Sequence, residues 1–373
     1  MVQNEPIFSK EELAANELRK GQLIALIKSG DAILMAGAGC SASLYPSWRD
    51  FVDKLDAAAK EINPDFNSDK DEFLPFADAV KECLGEDRYY TLIYQTFQPD
   101  NEGATHEAFH ETLCSLPFKA ITTTNYDIVL ESALNSIKPG LDVSLQFESS
   151  MKIRLYEFLQ SLNLNSKIPK RVLHIHGKFD IKESIILSGK EYESKYGFAL
   201  AKNEIDLFDQ LQNGDVTREQ FQQLLYQYGY EWPIKRKILW SILATRRVVF
   251  MGFGLDDPYF RRMLDHVKED LNTYGAANHF VILRITKSSK EKVISFAELL
   301  KREYGIVTVF YEDEEKSYKG FGNFIYDLGA AILPQKSAKV AYAEAAVAAE
   351  EVHGDDNLTE QLFKISGEQD NEN

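Results

Sequence analysis

Short runs of apolar residues, each closed by a glycine-rich or polar turn, alternate with helix-length stretches along most of this chain. Strands are expected at 31–36, 120–123, 171–175, 247–251, 279–285 and 306–311, with a short strand or loop at 185–187. Runs rich in Val and Ile that are separated by helical segments are typical of a mainly parallel sheet buried on both faces. The pattern therefore predicts an α/β fold with a Rossmann-like sheet.

Helix-length segments fill the intervals between these strands. Amphipathic patterns predict helices over 11–29, 48–62, 76–97 and 106–115, followed by a mostly helical stretch over 190–245. The insertions at about 50–115 and 190–245 are longer than a crossover requires, so we expect them to form a smaller lobe. The predicted division is one domain over 11–335 and an Ala- and Glu-rich tail over 336–373 that ends in a polar, acidic segment expected to be disordered.

Composition narrows the range of partners. The net charge of −16 is opposite in sign to that of a protein whose main ligand is nucleic acid, so direct nucleic-acid binding is disfavoured. The acidic charge disfavours membrane binding as well. No transmembrane helix is expected, because no apolar run approaches the roughly 18 residues that such a helix needs. Cys40, Cys83 and Cys114 are widely spaced and form no Cys-x-x-Cys pair, which fits a reducing cytoplasm.

A glycine-rich turn follows the first predicted strand. The run Gly37-Ala38-Gly39-Cys40-Ser41-Ala42 satisfies the pattern G-x-G-x-x-G/A. Glycines in such a turn let the backbone approach a pyrophosphate, and a following helix N-terminus attracts negative charge. A tight turn with no further role is equally compatible with this run. The chain also departs from the dehydrogenase pattern, because it continues into a helix and not into a second strand that ends in an acidic residue.

Polar residues follow the second and third predicted strands. Asn125-Tyr126-Asp127 closes one strand and His174-Ile175-His176-Gly177 closes the other. Ligands of parallel sheets bind outside the carboxyl ends of the strands, so these turns are well placed for chemistry. Asn125 and Asp127 are equally suited to capping the next helix.

The two histidines are two residues apart, and residues at this spacing share one face of a strand. A metal pair is therefore conceivable, although no cysteine or carboxylate is spaced nearby to complete a site. We favour His176 as the functional residue, because it lies at the strand's carboxyl end beside Gly177. We interpret His174 as a packing or supporting residue.

A second glycine turn, Gly252-Phe253-Gly254-Leu255, closes the strand at 247–251. Pro258 suits the first turn of the next helix, with Asp256 or Asp257 as its cap. A capped turn is one interpretation, and a second nucleotide contact through backbone amides is the other. Four such turns, each after a buried strand, predict a single crevice at one edge of the sheet.

Taken in order, the four motifs resemble those of the SIR2 family over about residues 15–330. Sirtuins carry Gly-Ala-Gly-x-Ser, Thr-Gln-Asn-x-Asp, a catalytic His-Gly and a late Gly-x-Ser-Leu element. The corresponding segments are Gly37 to Ser41, Thr123 to Asp127 with Thr124 in place of glutamine, His176-Gly177 and, loosely, Gly252 to Leu255.

Two departures separate the chain from the sirtuins that remove acyl groups. Their paired Cys-x-x-Cys zinc ligands are missing from the sequence, and their Gly-Ile-Pro-Asp-Phe-Arg segment is replaced by Tyr45 to Phe51. The pattern is more similar to that of the SIR2-like NAD⁺ hydrolases of bacterial anti-phage defence. This resemblance implies cleavage of NAD⁺, as a substrate, to nicotinamide and ADP-ribose, with no metal.

The resemblance also implies roles for individual residues. Asn125 would orient the ribose and the attacking water, and His176 would act as a general base. Substrate contacts are expected from Gly37, Ala38, Gly39, Cys40, Ser41, Arg49, Asp127, Gly252, Phe253 and Gly254. Arg49 is equally compatible with a surface salt bridge. A zinc-less protein deacylase and a non-catalytic nucleotide sensor stay open as alternatives, although binding alone requires neither Asn125 nor His176.

An enzyme that consumes free NAD⁺ must be held inactive until it is needed. Control should therefore come from self-association or from another protein. Short members of the family act with a separate protein, in some systems a HerA-type ATPase, so we expect a homo-oligomer whose activity is shifted by a separately encoded partner. The two insertions are the candidate contact surfaces, since aromatic side chains are enriched at interface cores. A cover for the crevice, or the lobe's own core, is the alternative. Aromatic residues of the second insertion include Phe208, Phe221, Tyr226, Tyr228, Tyr230, Trp232 and Trp240.

Overall fold

The computed structural model describes most of the chain up to residue 334. The described residues are 7–100, 103–139, 144–145, 158–160, 162, 170–196, 213–217, 219–220, 233–255, 258–271, 279–314 and 319–334. The predicted tail, most of the 190–245 insertion and the predicted caps Asp256 and Asp257 lie outside these ranges.

A seven-stranded parallel sheet forms the centre of the molecule. Its strands are β1 Ala32–Ala36, β2 Ala120–Thr123, β3 Ser144–Leu145, β4 Val172–His174, β5 Arg247–Met251, β6 Phe280–Ile285 and β7 Val307–Glu312. They lie in the order β3-β4-β2-β1-β5-β6-β7, and every neighbouring pair is parallel. The predicted Rossmann-like α/β fold is thus confirmed, with β3 as an additional strand. Residues 185–187 form a loop.

Helices connect and cover these strands. They are α1 Lys10–Lys28, α2 Trp48–Ile62, α3 Phe73–Leu84, α4 Glu86–Phe97, α5 Ala108–Ser115, α6 Val129–Ile137, α7 Gly189–Tyr196, α8 Ile234–Thr245, α9 Pro258–Leu271, α10 Lys290–Tyr304 and α11 Lys319–Ile332. Among the described residues, none of these helices has the length and apolar character needed to cross a membrane.

Strand β1 shows how the sheet divides its side chains between two cores. Ile33 and Met35 pack on one face with α8, α9 and α10, whereas Leu34 and Ala36 pack on the other with α1, α5, α6 and α11. This division follows from the alternation of side chains along a strand. Since β1 is buried over its whole length, its sequence is a continuous apolar run.

Helices α2, α3 and α4 form a smaller lobe around a third core. Phe51, Leu55, Phe76 and Ile93 are fully or almost fully buried there, and each such side chain stabilises the lobe by roughly 1.5–3 kcal/mol. Tyr126, from the turn after β2, packs into the same core. The lobe is therefore joined directly to the carboxyl edge of the sheet.

The predicted helix over 76–97 is two helices. Gly85 separates α3 from α4 with a φ of 73°, a backbone conformation that glycine adopts without strain. The amphipathic pattern runs through this break, which is why periodicity alone predicted one helix. Helix α5 packs beneath the sheet and not in the smaller lobe, since Phe109 and Leu113 belong to the same core as Leu34.

Candidate functional site

The four turns singled out in the sequence come after four strands that are neighbours in the sheet. Strands β4, β2, β1 and β5 lie side by side in that order. All four are parallel, so the turns after them meet at one edge. The strand order also reverses here, since β2 lies on one side of β1 and β5 on the other. Such a switch point is where open α/β sheets bind ligands.

The two glycine turns pack against each other through their backbones. Gly37 N–H donates to Met251 O at 2.9 Å, and Gly39 N–H donates to Gly252 O at 2.8 Å. A Cβ on Gly37 would lie 2.6 Å from Gly252 O, and one on Gly252, where φ is 60°, would lie 2.3 Å from Cys40 N. Close backbone approach therefore requires glycine on both sides of this contact.

The first glycine turn differs from the predicted phosphate loop because no helix begins directly after it. Ala38–Cys40 forms a single 3₁₀ turn, and α2 begins only at Trp48. Cys40 N–H donates to Gly37 O and Ser41 N–H donates to Ala38 O, so both amides are used within the loop. The turn presents the exposed Ala38 and Gly39 at its tip. The helix N-terminus expected directly after the loop is not part of this arrangement.

Asn125 links the turns that follow β1 and β2. Its side-chain amide donates to Gly37 O at 3.2 Å and to Ser41 Oγ at 3.1 Å. Its own backbone N–H donates to Thr123 Oγ1 at 3.0 Å. The Asn125 side chain is buried and fixed against the glycine loop.

Asp127 lies beside Asn125 and accepts two hydrogen bonds through one carboxylate oxygen. Ser41 Oγ donates to Asp127 Oδ1 at 3.2 Å, and Val129 N–H donates to the same oxygen at 3.1 Å, so the carboxylate both braces the loop and caps α6. Burial raises the pKa of Asp127 to about 6, and the charge of Glu131 adds to this effect. The two hydrogen bonds and the nearby His174 act in the opposite direction.

His174 is fully buried beneath Asn125. Its Nδ1 donates to Asn125 O at 2.9 Å, and its Nε2 forms a short contact with Glu131 Oε1 from α6. Burial alone would lower the pKa of His174, but the Glu131 carboxylate and the Asn125 carbonyl outweigh it and raise the pKa. His174 thus supports the backbone of Asn125 from below, in keeping with a supporting role.

His176 lies beyond the end of β4, because the strand stops at His174. The expectation that both histidines share a strand face is therefore wrong, and they meet different neighbours. The His176 ring packs edge-on against Tyr192 and Tyr196 of α7, with centroid distances of 5.3 and 6.0 Å. Tyr192 OH lies 3.5 Å from His176 Nδ1. Gly177, where φ is 92°, then turns the chain away so closely that a Cβ would lie 2.3 Å from Ser184.

His110 supports the glycine loop and was not singled out in the sequence. Glu107 N–H donates to His110 Nδ1 at 2.9 Å, so the neutral ring carries its proton on Nε2 and donates it to Cys40 O at 2.7 Å. Burial lowers the pKa of His110, which favours this neutral form. Its position three residues into α5, opposite the helix N-cap, has the spacing of a capping box. Glu107 and His110 stand where that motif carries Ser or Thr and Glu or Gln, so a search for the motif does not find them.

The remaining predicted contacts are spread around the edge of the sheet. Phe253 is buried against Phe250 and Phe260, and Gly254 is exposed beside it. Arg49 lies exposed in the first turn of α2, outside the hydrogen-bonded network around Asn125. Within the described part of the chain, no group of three or more His, Cys, Asp or Glu side chains is arranged to hold a metal ion.

Comparison with known proteins agrees with this geometry. The SIR2-like domain family matches residues 119–309, just over half of the chain. The match includes the turns after β2, β4 and β5. The chain belongs to the SIR2-like domain family.

Three individual relatives carry names that refer to NAD⁺ or to defence. The chain is 25% identical over 280 residues to NAD(+) hydrolase ThsA of Enterococcus faecium and 26% identical over 232 residues to NAD(+) hydrolase ThsA of Cytobacillus dafuensis. It is 24% identical over 243 residues to defense-associated sirtuin 2 of Bacillus subtilis. These alignments cover 74%, 62% and 65% of this chain, but only 48%, 41% and 20% of the respective relatives. The chain thus matches less than half of each relative's own length.

Proposed function

We propose that this protein hydrolyses NAD⁺ to nicotinamide and ADP-ribose and serves as an NAD⁺-depleting effector in anti-phage defence. The observation that carries the proposal is that Asn125, Asp127, His176 and two closely packed glycine turns follow the carboxyl ends of four neighbouring parallel strands. Membership in the SIR2-like family and two relatives named NAD(+) hydrolase support the choice of substrate.

The proposed reaction breaks the bond between nicotinamide and ribose. Nicotinamide leaves as a neutral group, so no strong acid is needed, and the transition state has oxocarbenium character at the ribose, as in glycoside cleavage. In this proposal His176 accepts a proton from the attacking water or a ribose hydroxyl, and Asn125 orients the ribose and that water. Asp127 holds Ser41 and thereby the loop against which the substrate lies.

Substrate contacts complete the proposed site. We assign the pyrophosphate and adjoining ribose to the turn of Gly37, Ala38, Gly39, Cys40 and Ser41, with Gly252, Phe253 and Gly254 on the opposite side. Arg49, exposed in the first turn of α2, is the candidate cation for a phosphate. No metal takes part in this mechanism, so chelators are expected to leave the activity unchanged.

Chromatography of the products formed from NAD⁺ tests this proposal. Purified protein is incubated with NAD⁺ alone, and separately with NAD⁺ and an acyl-lysine peptide. The proposal predicts equal amounts of nicotinamide and ADP-ribose without any peptide. Nicotinamide release that requires the peptide would identify a zinc-less deacylase instead, and binding of intact NAD⁺ without products would identify a nucleotide sensor.

We further propose that assembly controls the activity in the cytoplasm, through a homo-oligomer and a separately encoded partner such as a HerA-type ATPase. Exposed aromatic residues on the smaller lobe, Trp48 and Tyr94, support a contact surface there. Trp240 does not, because its ring packs on the core beside the sheet and its Nε1 donates to Asp270. The aromatic residues singled out from Phe208 to Trp232 lie outside the described residues.

A further inference from the structure

A partly buried polar cluster connects the smaller lobe to α7. Lys81 Nζ of α3 lies 2.9 Å from Glu191 Oε1, and Tyr90 OH of α4 donates to the same oxygen at 2.8 Å. Lys81 Nζ also donates to Tyr90 OH at 2.9 Å, so the three groups form a closed triangle. We call Lys81, Tyr90 and Glu191 the lobe latch.

Glu191 uses its second oxygen to fix the start of α7. Leu187 N–H and Ser188 N–H donate to Glu191 Oε2 at 2.8 and 2.9 Å. Glu191 is only 7% exposed, so its carboxylate is held by four polar partners in a site with little water. A buried carboxylate needs such partners, and removal of one of them is costly.

A second contact from α3 reaches the same helix end. Asp78 lies three residues before Lys81 and therefore on the same face of α3. Lys190 N–H, in the first turn of α7, donates to Asp78 Oδ1 at 3.1 Å. A Cβ on Gly189 would lie 2.7 Å from the other Asp78 oxygen, so the two helices approach as closely as a glycine allows. The junction is thus a two-point attachment of α3 to α7.

Helix α7 carries this attachment to His176. Tyr192, next to Glu191 in sequence, places its hydroxyl 3.5 Å from His176 Nδ1, and Tyr196 one turn later packs on the same ring. The loop before α7 adds a backbone connection, because Ile186 N–H donates to His176 O at 2.9 Å. Glu191, which fixes α7 to the smaller lobe, is therefore the immediate neighbour of Tyr192, which contacts His176.

We propose that the lobe latch is a positioning device, which couples the placement of helices α3 and α4 to the orientation of His176 through Tyr192. Lys81, Tyr90 and Glu191 touch no reacting atom, and they act by holding α7. A displacement of the smaller lobe, such as one imposed by a contact on its surface, would move Tyr192 and release the imidazole. This inference rests on the proposed function only for its catalytic readout.

Lys81→Met tests the latch by removing its cation while leaving the Glu191 side chain unchanged. We expect kcat for NAD⁺ cleavage to fall roughly tenfold or more with KM within about twofold of wild type, because a misplaced catalytic group slows the chemistry more than it weakens binding. Lys81→Arg keeps the charge and should restore most of kcat. The matched control is Lys70→Met, which removes a cation paired with Asp53 and Asp56 on the surface of the same lobe.

Hydrogen–deuterium exchange gives a readout that does not depend on any activity. Lys81→Met should raise exchange in peptides covering 186–196 and also in those covering 174–179, whereas Lys70→Met should leave both unchanged. Increased exchange confined to 186–196, with unchanged kcat, would overturn the proposal and leave the latch a purely structural contact. If wild-type protein cleaves no NAD⁺, the proposed function fails, and exchange over 174–179 still decides whether the lobe is coupled to His176.

Discussion

At the scale of single residues, the site is held together by contacts between groups that are distant in sequence. Asn125, Asp127 and His176 could be singled out because each follows a predicted strand. Glu131 and His110 could not be assigned partners, since they meet His174 and Cys40 across 43 and 70 residues respectively and lie on helices whose local pattern does not point to the site. Contacts of this kind can be identified only in the folded structure, in which the sheet has brought the helices together.

The buried pair of His174 and Glu131 makes one prediction about stability. His174→Ala leaves the Glu131 carboxylate in a dry site without this partner, which should lower the free energy of unfolding by roughly 3–5 kcal/mol. The double variant His174→Ala/Glu131→Ala should be less destabilised than the sum of the single changes, because the isolated charge is gone. Urea unfolding of the three variants measures this coupling, and strictly additive losses would contradict it.

Asp127 makes a prediction about pH. Its pKa is about 6 in the folded protein but about 3.9 in an unfolded chain. A carboxyl group whose pKa rises on folding contributes stability that is present below the unfolded pKa and is lost as the pH rises through about 6. Asp127→Asn stays neutral and keeps an oxygen for Ser41 and Val129, so it should gain roughly 3 kcal/mol relative to wild type between pH 4 and 7.5.

Urea unfolding at several pH values between 4 and 7.5 measures this difference. The matched control is Asp53→Asn, since Asp53 is more than half exposed and pairs with Lys70 at the surface. Its stability relative to wild type should change little over the same range. A difference between Asp127→Asn and wild type that stays constant with pH would show that the carboxylate is not destabilised by burial.

At the scale of elements, apolar runs and their bounding turns were sufficient for most of the sheet. Strand β1, and strand β5 after its exposed first residue Arg247, are apolar runs because helices cover both of their faces. Strand β3 has two residues and no pattern of its own, and its pairing with β4 depends on the finished fold. Local sequence patterns likewise do not determine the order of the strands, which brings the four turns together.

The contact between the two glycine turns can be tested by adding one methyl group. Gly252→Ala forces a side chain into a left-handed backbone conformation and places its Cβ 2.3 Å from Cys40 N, so the turns must separate. We expect a loss of stability well above the roughly 1–2 kcal/mol of backbone strain alone, together with weaker NAD⁺ binding. Gly30→Ala is the matched control, because its φ of 74° is also positive and the nearest atom to its Cβ would be Pro117 O at 3.8 Å, an ordinary contact.

Calorimetric unfolding and NAD⁺ titration of both glycine variants provide the measurement. The control should show the backbone strain alone and bind NAD⁺ as wild type does. Equal losses of stability in the two variants, with unchanged binding in both, would mean that the close approach of the turns after β1 and β5 has no role in the site.

At the scale of the whole molecule, two cores cover the two faces of the sheet. A third core, in the smaller lobe, reaches the carboxyl edge of the sheet through Tyr126. The smaller lobe shares Tyr126 with the site and reaches α7 through the lobe latch, so its position is coupled to the site at two places. Sequence patterns predicted no such connection, because the latch draws its members from three separate helices. The alternation of apolar runs and helices did predict an α/β protein correctly, since it extends over most of the chain.

Control by assembly predicts a concentration-dependent activity. We expect light scattering to show a homo-oligomer and the specific rate of NAD⁺ cleavage to change as it dissociates on dilution. Trp48→Ala removes an exposed aromatic side chain from the smaller lobe and should weaken the oligomer. Leu271→Ala, at the exposed end of α9 and outside that lobe, controls for the loss of an apolar surface group. A strict monomer with the same specific activity at every concentration would reject self-association as the control.

The central claim is that Asn125 and His176 act in one NAD⁺-cleaving site, and steady-state turnover of paired variants tests it most directly. Asn125→Ala should abolish cleavage, and His176→Ala should lower kcat by roughly 10²–10⁴-fold. Asn16→Ala and His279→Ala remove equally buried side chains that bond to backbone elsewhere, to Phe310 and Val248, and should keep wild-type turnover in the folded fraction. Folded Asn125→Ala and His176→Ala proteins that cleave NAD⁺ at the wild-type rate would contradict the account.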